Sequence, residues 1–130
     1  MNQLMDVHIY YEDTDCGGVV YYANYLRYME RARTEFLAAH EYSVKTLMDE
    51  GTIFMVLRVE IDYKSPARYG DVIEIETWIR DVTRATMVFE HIMREKESKR
   101  VFVECRAKLV IVDRNGRPKR IPAEFVEKMK

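Results

Sequence analysis

Residues 22–40 read YANYLRYMERARTEFLAAH, and the period of this stretch decides the architecture. Tyr22, Tyr25, Leu26, Met29, Ala32, Phe36 and Leu37 recur at helical spacing and share one face, while Arg27, Glu30, Arg31, Thr34 and Glu35 lie mostly off it. The spacing predicts one long amphipathic helix with a single apolar stripe to bury. Outward from it the period changes to two. Over 53–64, Ile53, Met55, Leu57, Val59, Ile61 and Tyr63 alternate with Arg58, Glu60, Asp62 and Lys64. Residues 72–82 alternate again, with Ile73, Ile75 and Ile79 against Glu74 and Glu76. Residues 86–95 and 100–112 read as two more strands, and residues 7–11 as a strand before the helix. Pro66 and Gly70 mark 65–71 as a connection, and Asn115-Gly116 is a tight-turn signal. A short helix is expected at 43–50, stopped by Gly51, and a last one from Pro122 through Met129. One long helix beside a run of antiparallel strands is an α+β layout, with the sheet wrapped around the helix. The sheet's other face and its edges would want cover, which predicts an oligomer.

The 130 residues suggest one domain, 1–130. Hydrophobic residues at 48% and charged residues at 33% fit a globular chain rather than a disordered one. A formal net charge of −1 argues against nucleic acid as partner. No apolar run is long enough for a membrane span, and the N-terminal residues lack the basic and apolar regions of a secretory signal. Cys16 and Cys105, far apart, make neither a disulfide framework nor a zinc site. A reducing cytoplasm is the expected location.

The segment YYEDTDCGGVVYYANY, residues 10–25, carries the chemistry. Glu12, Asp13 and Asp15 precede Gly17 and Gly18, and the long helix begins directly after. Glycines let backbone approach a ligand closely. A helix N-terminus offers unpaired N–H groups and the positive end of a dipole. A carboxylate beside such an end can act as base or nucleophile while amides hold a developing oxyanion, the two parts that thioester hydrolysis needs. The competing reading is that these acids merely cap the helix and decorate a turn. A calcium loop is rejected. Asp13, Asp15 and Gly18 fit its first, third and sixth positions, but Gly17 and Asn24 fall where ligands are required.

The stretch YYEDTDCGGVVYYANYLRYMERARTEFL, together with SPARYGDVIEIET and VDRNGRPKRIP, resembles the 4-hydroxybenzoyl-CoA thioesterase family of hotdog proteins. Within it, the resemblance is to the branch encoded with the Tol–Pal envelope system. The resemblance spans nearly the whole chain. It implies a hotdog fold and an acyl-CoA thioesterase that uses no metal or other cofactor. It also implies a homodimer or homotetramer whose site is shared between chains. Asp15 falls at the family's catalytic Asp, and Tyr22 at its backbone oxyanion donor. Many members of the branch carry His where this chain has Tyr22; a backbone donor survives that exchange, a side-chain imidazole role does not.

CoA carries several phosphate charges, so Arg84 and the cluster Arg117, Lys119 and Arg120 are candidate contacts. Acyl carrier protein is a possible alternative carrier of the acyl group. Trp78 and the tyrosines of the loop are candidates for an acyl pocket or for core. His8 could approach the loop but reads as a strand residue, Cys16 as a small packing residue, and Glu30 as a partner of Arg27, Arg31 or Arg33. A dehydratase of the same fold would need a His that the loop lacks. The rival from another class is a non-catalytic acyl-CoA or acyl-carrier-protein binding module, which would need the groove but not Asp15.

Overall fold

The structure is a computed structural model and describes residues 2–129. β1 (Gln3–His8) leads through a 3-10 turn (Tyr11–Asp13) to α1 (Asn24–Ala39) and α2 (Val44–Asp49). There follow β2 (Ile53–Tyr63), β3 (Val72–Val82), β4 (Thr86–Glu95), β5 (Val101–Val112) and α3 (Ala123–Met129). The strands form one antiparallel sheet in the order β1-β3-β4-β5-β2. The expected helix and the expected run of four strands are both present. Among the described residues no helix is long and apolar enough to cross a membrane.

The apolar stripe of α1 lies on what we term the inner face of the sheet. Tyr25, Tyr28, Met29 and Ala32 pack with Ile73, Ile75, Met93 and Cys105 toward one end. Phe36 and Leu37 pack with Met87, Phe89, Leu109, Ile111 and Phe125 of α3 toward the other. Two buried polar residues, Thr77 on β3 and His91 on β4, stand opposite each other on this face, with Thr77 Oγ1 and His91 Nδ1 2.9 Å apart.

Three expectations need correction. The first strand is not 7–11 but Gln3–His8, because its partner β3 begins at Val72, opposite His8. Beyond that point the Ile9 N–H turns to the Asp71 carbonyl, and the Tyr10 N–H to the Asp13 carboxylate. Second, the single alternation read along β2 is broken between Val56 and Arg58. Leu57 is the extra residue of a bulge there. Phe54 and Val56 therefore take the inner side, opposite Ile111 and Leu109. Val59, Ile61 and Tyr63 resume it opposite Ala107, Cys105 and Val103.

Third, the outer face of the sheet is covered in part by its own paired charges. Arg94 bridges Glu74 and Glu76 at 3.0 and 2.9 Å, Lys99 reaches Glu74 at 3.2 Å, and Arg106 reaches Glu60 at 3.3 Å. Burial alone would raise the Glu74 carboxyl, but hydrogen bonds from Lys99 and Arg94 hold it below its ordinary value. Trp78 belongs to this charged face, between Glu76 and Arg80, and is neither core nor pocket. Uncovered apolar surface is instead concentrated on the edge strand β2, where Met55, Val56, Leu57, Val59 and Tyr63 are all exposed.

Candidate active site

The loop before α1 is a small closed hairpin. Thr14 and Val20 form an isolated antiparallel bridge, the Asp15 N–H donates to the Val19 carbonyl at 2.9 Å, and the Gly18 N–H donates back to the Asp15 carbonyl at 3.1 Å. Gly18 has a φ of 79°, the left-handed region that favours glycine. Gly17 is needed for another reason. Its N–H donates to Asp15 Oδ1 at 2.7 Å, and a Cβ at this position would lie 3.2 Å from that same oxygen. The bond fixes one oxygen of an exposed carboxylate, while Oδ2 has no protein partner among the described residues.

Asp13 is the brace of this hairpin. Its carboxylate accepts the Tyr10 N–H at 2.8 Å, and its carbonyl accepts both the Tyr21 N–H at 3.0 Å and Asn24 Nδ2 at 2.8 Å. The buried Tyr28 hydroxyl faces it from α1, and burial followed by the Asp13 charge lifts that phenol above its ordinary value. The Val20 N–H donates to the Ala67 carbonyl at 2.8 Å, which anchors the hairpin to the β2–β3 connection. The chain then enters α1 at Ala23 without a side-chain cap. Among the described residues the N–H groups of Tyr22 and Ala23 have no acceptor, and they lie at the positive end of the helix. Tyr63 closes the neighbourhood from β2, donating its hydroxyl to the Tyr22 carbonyl at 3.2 Å. A carboxylate with a free oxygen and unpaired amides therefore lie in one short loop, residues 15–23. That pairing can attack or deprotonate at a carbonyl carbon while holding the oxyanion.

Residues 10–129 match the family described as the thioesterase-like superfamily. The chain belongs to it. It is 41% identical over 124 residues to the acyl-CoA thioester hydrolase YbgC of Escherichia coli, covering 92% of each chain. A crystal structure of a protein from Aquifex aeolicus superposes with a TM-score of 0.92 at 29% identity, covering 98% of this chain and 99% of the other. A 4-hydroxybenzoyl-CoA thioesterase mutant complexed with 4-hydroxybenzoyl-CoA superposes at 0.91 with 21% identity over 99% of both chains, a likeness that speaks for the fold alone. The hotdog fold expected from the sequence is thus the fold observed, and the chain is a thioesterase.

In this thioesterase the four cationic candidates do not form one cluster. Arg84 and Arg120 line a groove of about 660 Å³ with Arg80, Val82 and Val126. Lys119 points the other way, its Nζ donating to Thr52 Oγ1 at 2.8 Å, and Arg117 stays in the turn closed on Asp113. Successive residues of an extended segment face opposite sides, which is why a run of basic letters splits in space. All four lie beyond the C-terminal end of α1, so within one chain roughly 24 Å of helix separates them from Asp15. His8 lines a groove between β1 and α1 together with Arg27 and Arg31. Cys16 is exposed at the tip of the hairpin and packs nothing, whereas burial pushes the Cys105 thiol up to about 12. Glu30 makes no salt bridge among the described residues. Nor do those residues hold any group of three or more His, Cys, Asp or Glu able to bind a metal ion. Asn24 and Tyr63 escaped the sequence reading. Asn24 sat at a helix start and could have been suspected as a cap, whereas nothing local pairs Tyr63 with Tyr22.

Proposed function

We propose that this thioesterase hydrolyses short-chain or aromatic acyl-CoA to the free acid and CoA, with Asp15 as its carboxylate catalyst and the Tyr22 N–H as oxyanion donor. The observation that carries the reading is the free Asp15 oxygen in the same short loop as unpaired amides. Asp15 attacks the thioester carbonyl to form a mixed anhydride, which water then cleaves to the free acid and the regenerated carboxylate, or it takes a proton from a water that attacks the carbonyl directly. In either route the carbonyl oxygen gains negative charge, the amides accommodate it, and CoA leaves as thiolate. The route uses no cofactor. An acyl carrier protein presents the same thioester, and a panel of acyl-CoAs and acyl carrier proteins, read by free-thiol release, tests both. No thiol release from any of them would refute the reading.

The site is completed by a second copy of the chain. β2 is an edge strand with exposed apolar side chains, a surface prone to pair. At its Tyr63 end it touches the catalytic hairpin, and at its Ile53 end it pairs with Val112, beside Thr52 and Lys119. Antiparallel pairing of two such edges about a two-fold axis sets the Tyr63 end of one chain against the Ile53 end of its partner. It thereby brings the cationic end of one chain to the hairpin of the other. Native mass or light scattering at micromolar concentration is expected to give two or four chains per particle. A single chain would refute the shared site.

Arg84 and Arg120, which line one groove, would then hold phosphates of CoA far from the reacting carbonyl, while Arg117 and Lys119 fall outside that groove. Such contacts act through ground-state binding. Arg84→Ala combined with Arg120→Ala is expected to raise KM by about tenfold with little change in kcat, and the gap should narrow with added salt. An unchanged KM across a salt series would dismiss these residues as CoA contacts.

A further inference from the structure

One flank of α1 ends on a half-buried cation that makes no salt bridge among the described residues. At 3.6 residues per turn, Tyr22, Leu26 and Arg33 fall on one side of the helix, and Tyr28, Arg31 and Glu35 on the other. The second side faces β1, since Arg31 and Glu35 share a groove with Met5 and Val7. The first faces β2. Tyr63 of β2 donates to the Tyr22 carbonyl, and its ring packs edge-on to Tyr25 at 5.7 Å. This flank begins at the free amides and is apolar and open, with Tyr22, Leu26, Val59 and Tyr63 all exposed.

Arg33 interrupts it. The side chain is half-buried, yet among the described residues it makes no salt bridge and no side-chain hydrogen bond. Glu30, one turn earlier, acts on it through its charge but is exposed and outside salt-bridge distance, so the guanidinium has no ligand on its buried side. Beneath Arg33 lies buried His91, already bonded to Thr77 and neutral, because burial and then the nearby guanidinium push its pKa down to about 4. Desolvation draws the guanidinium down from its ordinary value, but an arginine stays charged at neutral pH. A partly desolvated cation with only a neutral imidazole beneath it is a seat for an anion. From Tyr22 to Arg33 the chain rises about 16 Å, and the helix side chains lean back toward the N-terminus. The guanidinium thus stands about 12 Å from the oxyanion amides, within reach of an acyl chain of medium length.

We infer that Arg33 marks the far end of the acyl groove and binds a carboxylate at the terminus of the acyl group, so that monothioesters of dicarboxylic acids are preferred substrates. The inference rests on the thioesterase reading and adds the chemical class of the acyl group.

The test compares kcat/KM for adipoyl-CoA with that for hexanoyl-CoA, which differ only in the terminal carboxylate. The wild type is expected to favour adipoyl-CoA by about tenfold or more, the scale of one charge-assisted contact. Arg33→Gln and Arg33→Met should bring the ratio to about one or below, while Arg33→Lys keeps part of it. Arg27→Gln, on the outer face of the same helix, should leave the ratio as it is. A wild-type ratio of one or less, or a ratio that survives Arg33→Gln in protein shown to be folded by circular dichroism, overturns the inference. So does an unchanged ratio accompanied by loss of the oligomer, because Arg33 would then serve a carboxylate of a partner chain. If neither thioester is hydrolysed, the catalytic reading fails separately. Arg33 is then judged by the affinities of the two matching thioether analogues: Arg33-dependent preference for the carboxylate supports it, and equal affinities overturn it.

Discussion

Asp15→Asn is expected to lower kcat by about two to four orders of magnitude, the scale for losing a positioned base or nucleophile. The substitution is close to isosteric. Its amide oxygen can still accept the Gly17 N–H that Asp15 Oδ1 accepts at 2.7 Å, so the hairpin should keep its shape. What disappears is the charge on the free oxygen. The amides of Tyr22 and Ala23 remain, so binding of a non-hydrolysable acyl-CoA analogue should change far less than turnover. Asp13→Asn is the matched control. It shares the hairpin and the charge, but its carboxylate is engaged by the Tyr10 N–H, a bond that an amide oxygen can replace. Its loss should stay within about 1 kcal/mol of transition-state stabilisation. Steady-state kinetics of the three proteins decide. Near-wild-type turnover by Asp15→Asn would remove Asp15 from the mechanism. A wild type that binds acyl-CoA but cleaves no thioester would be a binding module.

The second large effect is on stability in mild acid. His91 is 2% exposed, and burial first, then the Arg33 charge, push its pKa from 6.5 down to about 4. The folded state therefore keeps the imidazole neutral where the unfolded chain would protonate it. Between about pH 6.5 and 4 the unfolded chain binds the extra proton, so stability falls as pH falls. The contribution is whole above that window, and the loss levels off below it, once the folded state also takes up the proton. At full extent it amounts to about 3 kcal/mol, a large share of the stability of a small domain. Urea unfolding at pH 7.5, 5.5 and 4.5 should show this slope in the wild type and lose most of it in His91→Gln. The Glu74 and Glu76 carboxyls, held below their ordinary values by Arg94 and their other partners, add a loss that sets in near the ordinary carboxyl value of 4.5 and continues below it, and His91→Gln leaves that part in place. Equal slopes in the two proteins would mean that His91 is not the titrating group.

What the sequence disclosed and what it hid divide along one line: local periodicity against long-range pairing. The stripe of Tyr25, Met29, Ala32 and Phe36 was legible because a helix repeats its environment every turn, and these residues are buried as expected. β4 was legible because it alternates along its length, and β3 and β5 because enough of each alternates to mark a strand despite the register shifts near Ile79 and Met93. β2 was not, since the bulge at Leu57 is set by pairing with β5 and changes the facing of Ile53 and Met55 with no mark in the alternation. The boundary of β1 was likewise set by where β3 begins. In the hairpin, Asp15, Gly17 and Gly18 were recognisable by type and spacing. The grip of Asn24 on Asp13, the contact of Tyr63 with Tyr22, and the divergence of Lys119 from Arg120 arise only when distant segments meet. Arg33 was read only as one possible partner of Glu30. Only the sheet beneath it gives it another meaning.

The strand order has a consequence for a chain still being made. β2 leaves the ribosome well before β5, yet β5 is its sole hydrogen-bonded neighbour in the finished sheet. Ile53 waits for Val112, and even the nearest partners, Tyr63 and Val103, are separated by β3 and β4. Until β5 emerges, the most apolar edge of the molecule has no sheet from which to present itself. Ordering it late costs folding speed, because distant contacts must close. In return, if copies pair through β2 as proposed, nascent chains crowded on one message would not join there before each has completed its own sheet, which would limit misassembly during synthesis.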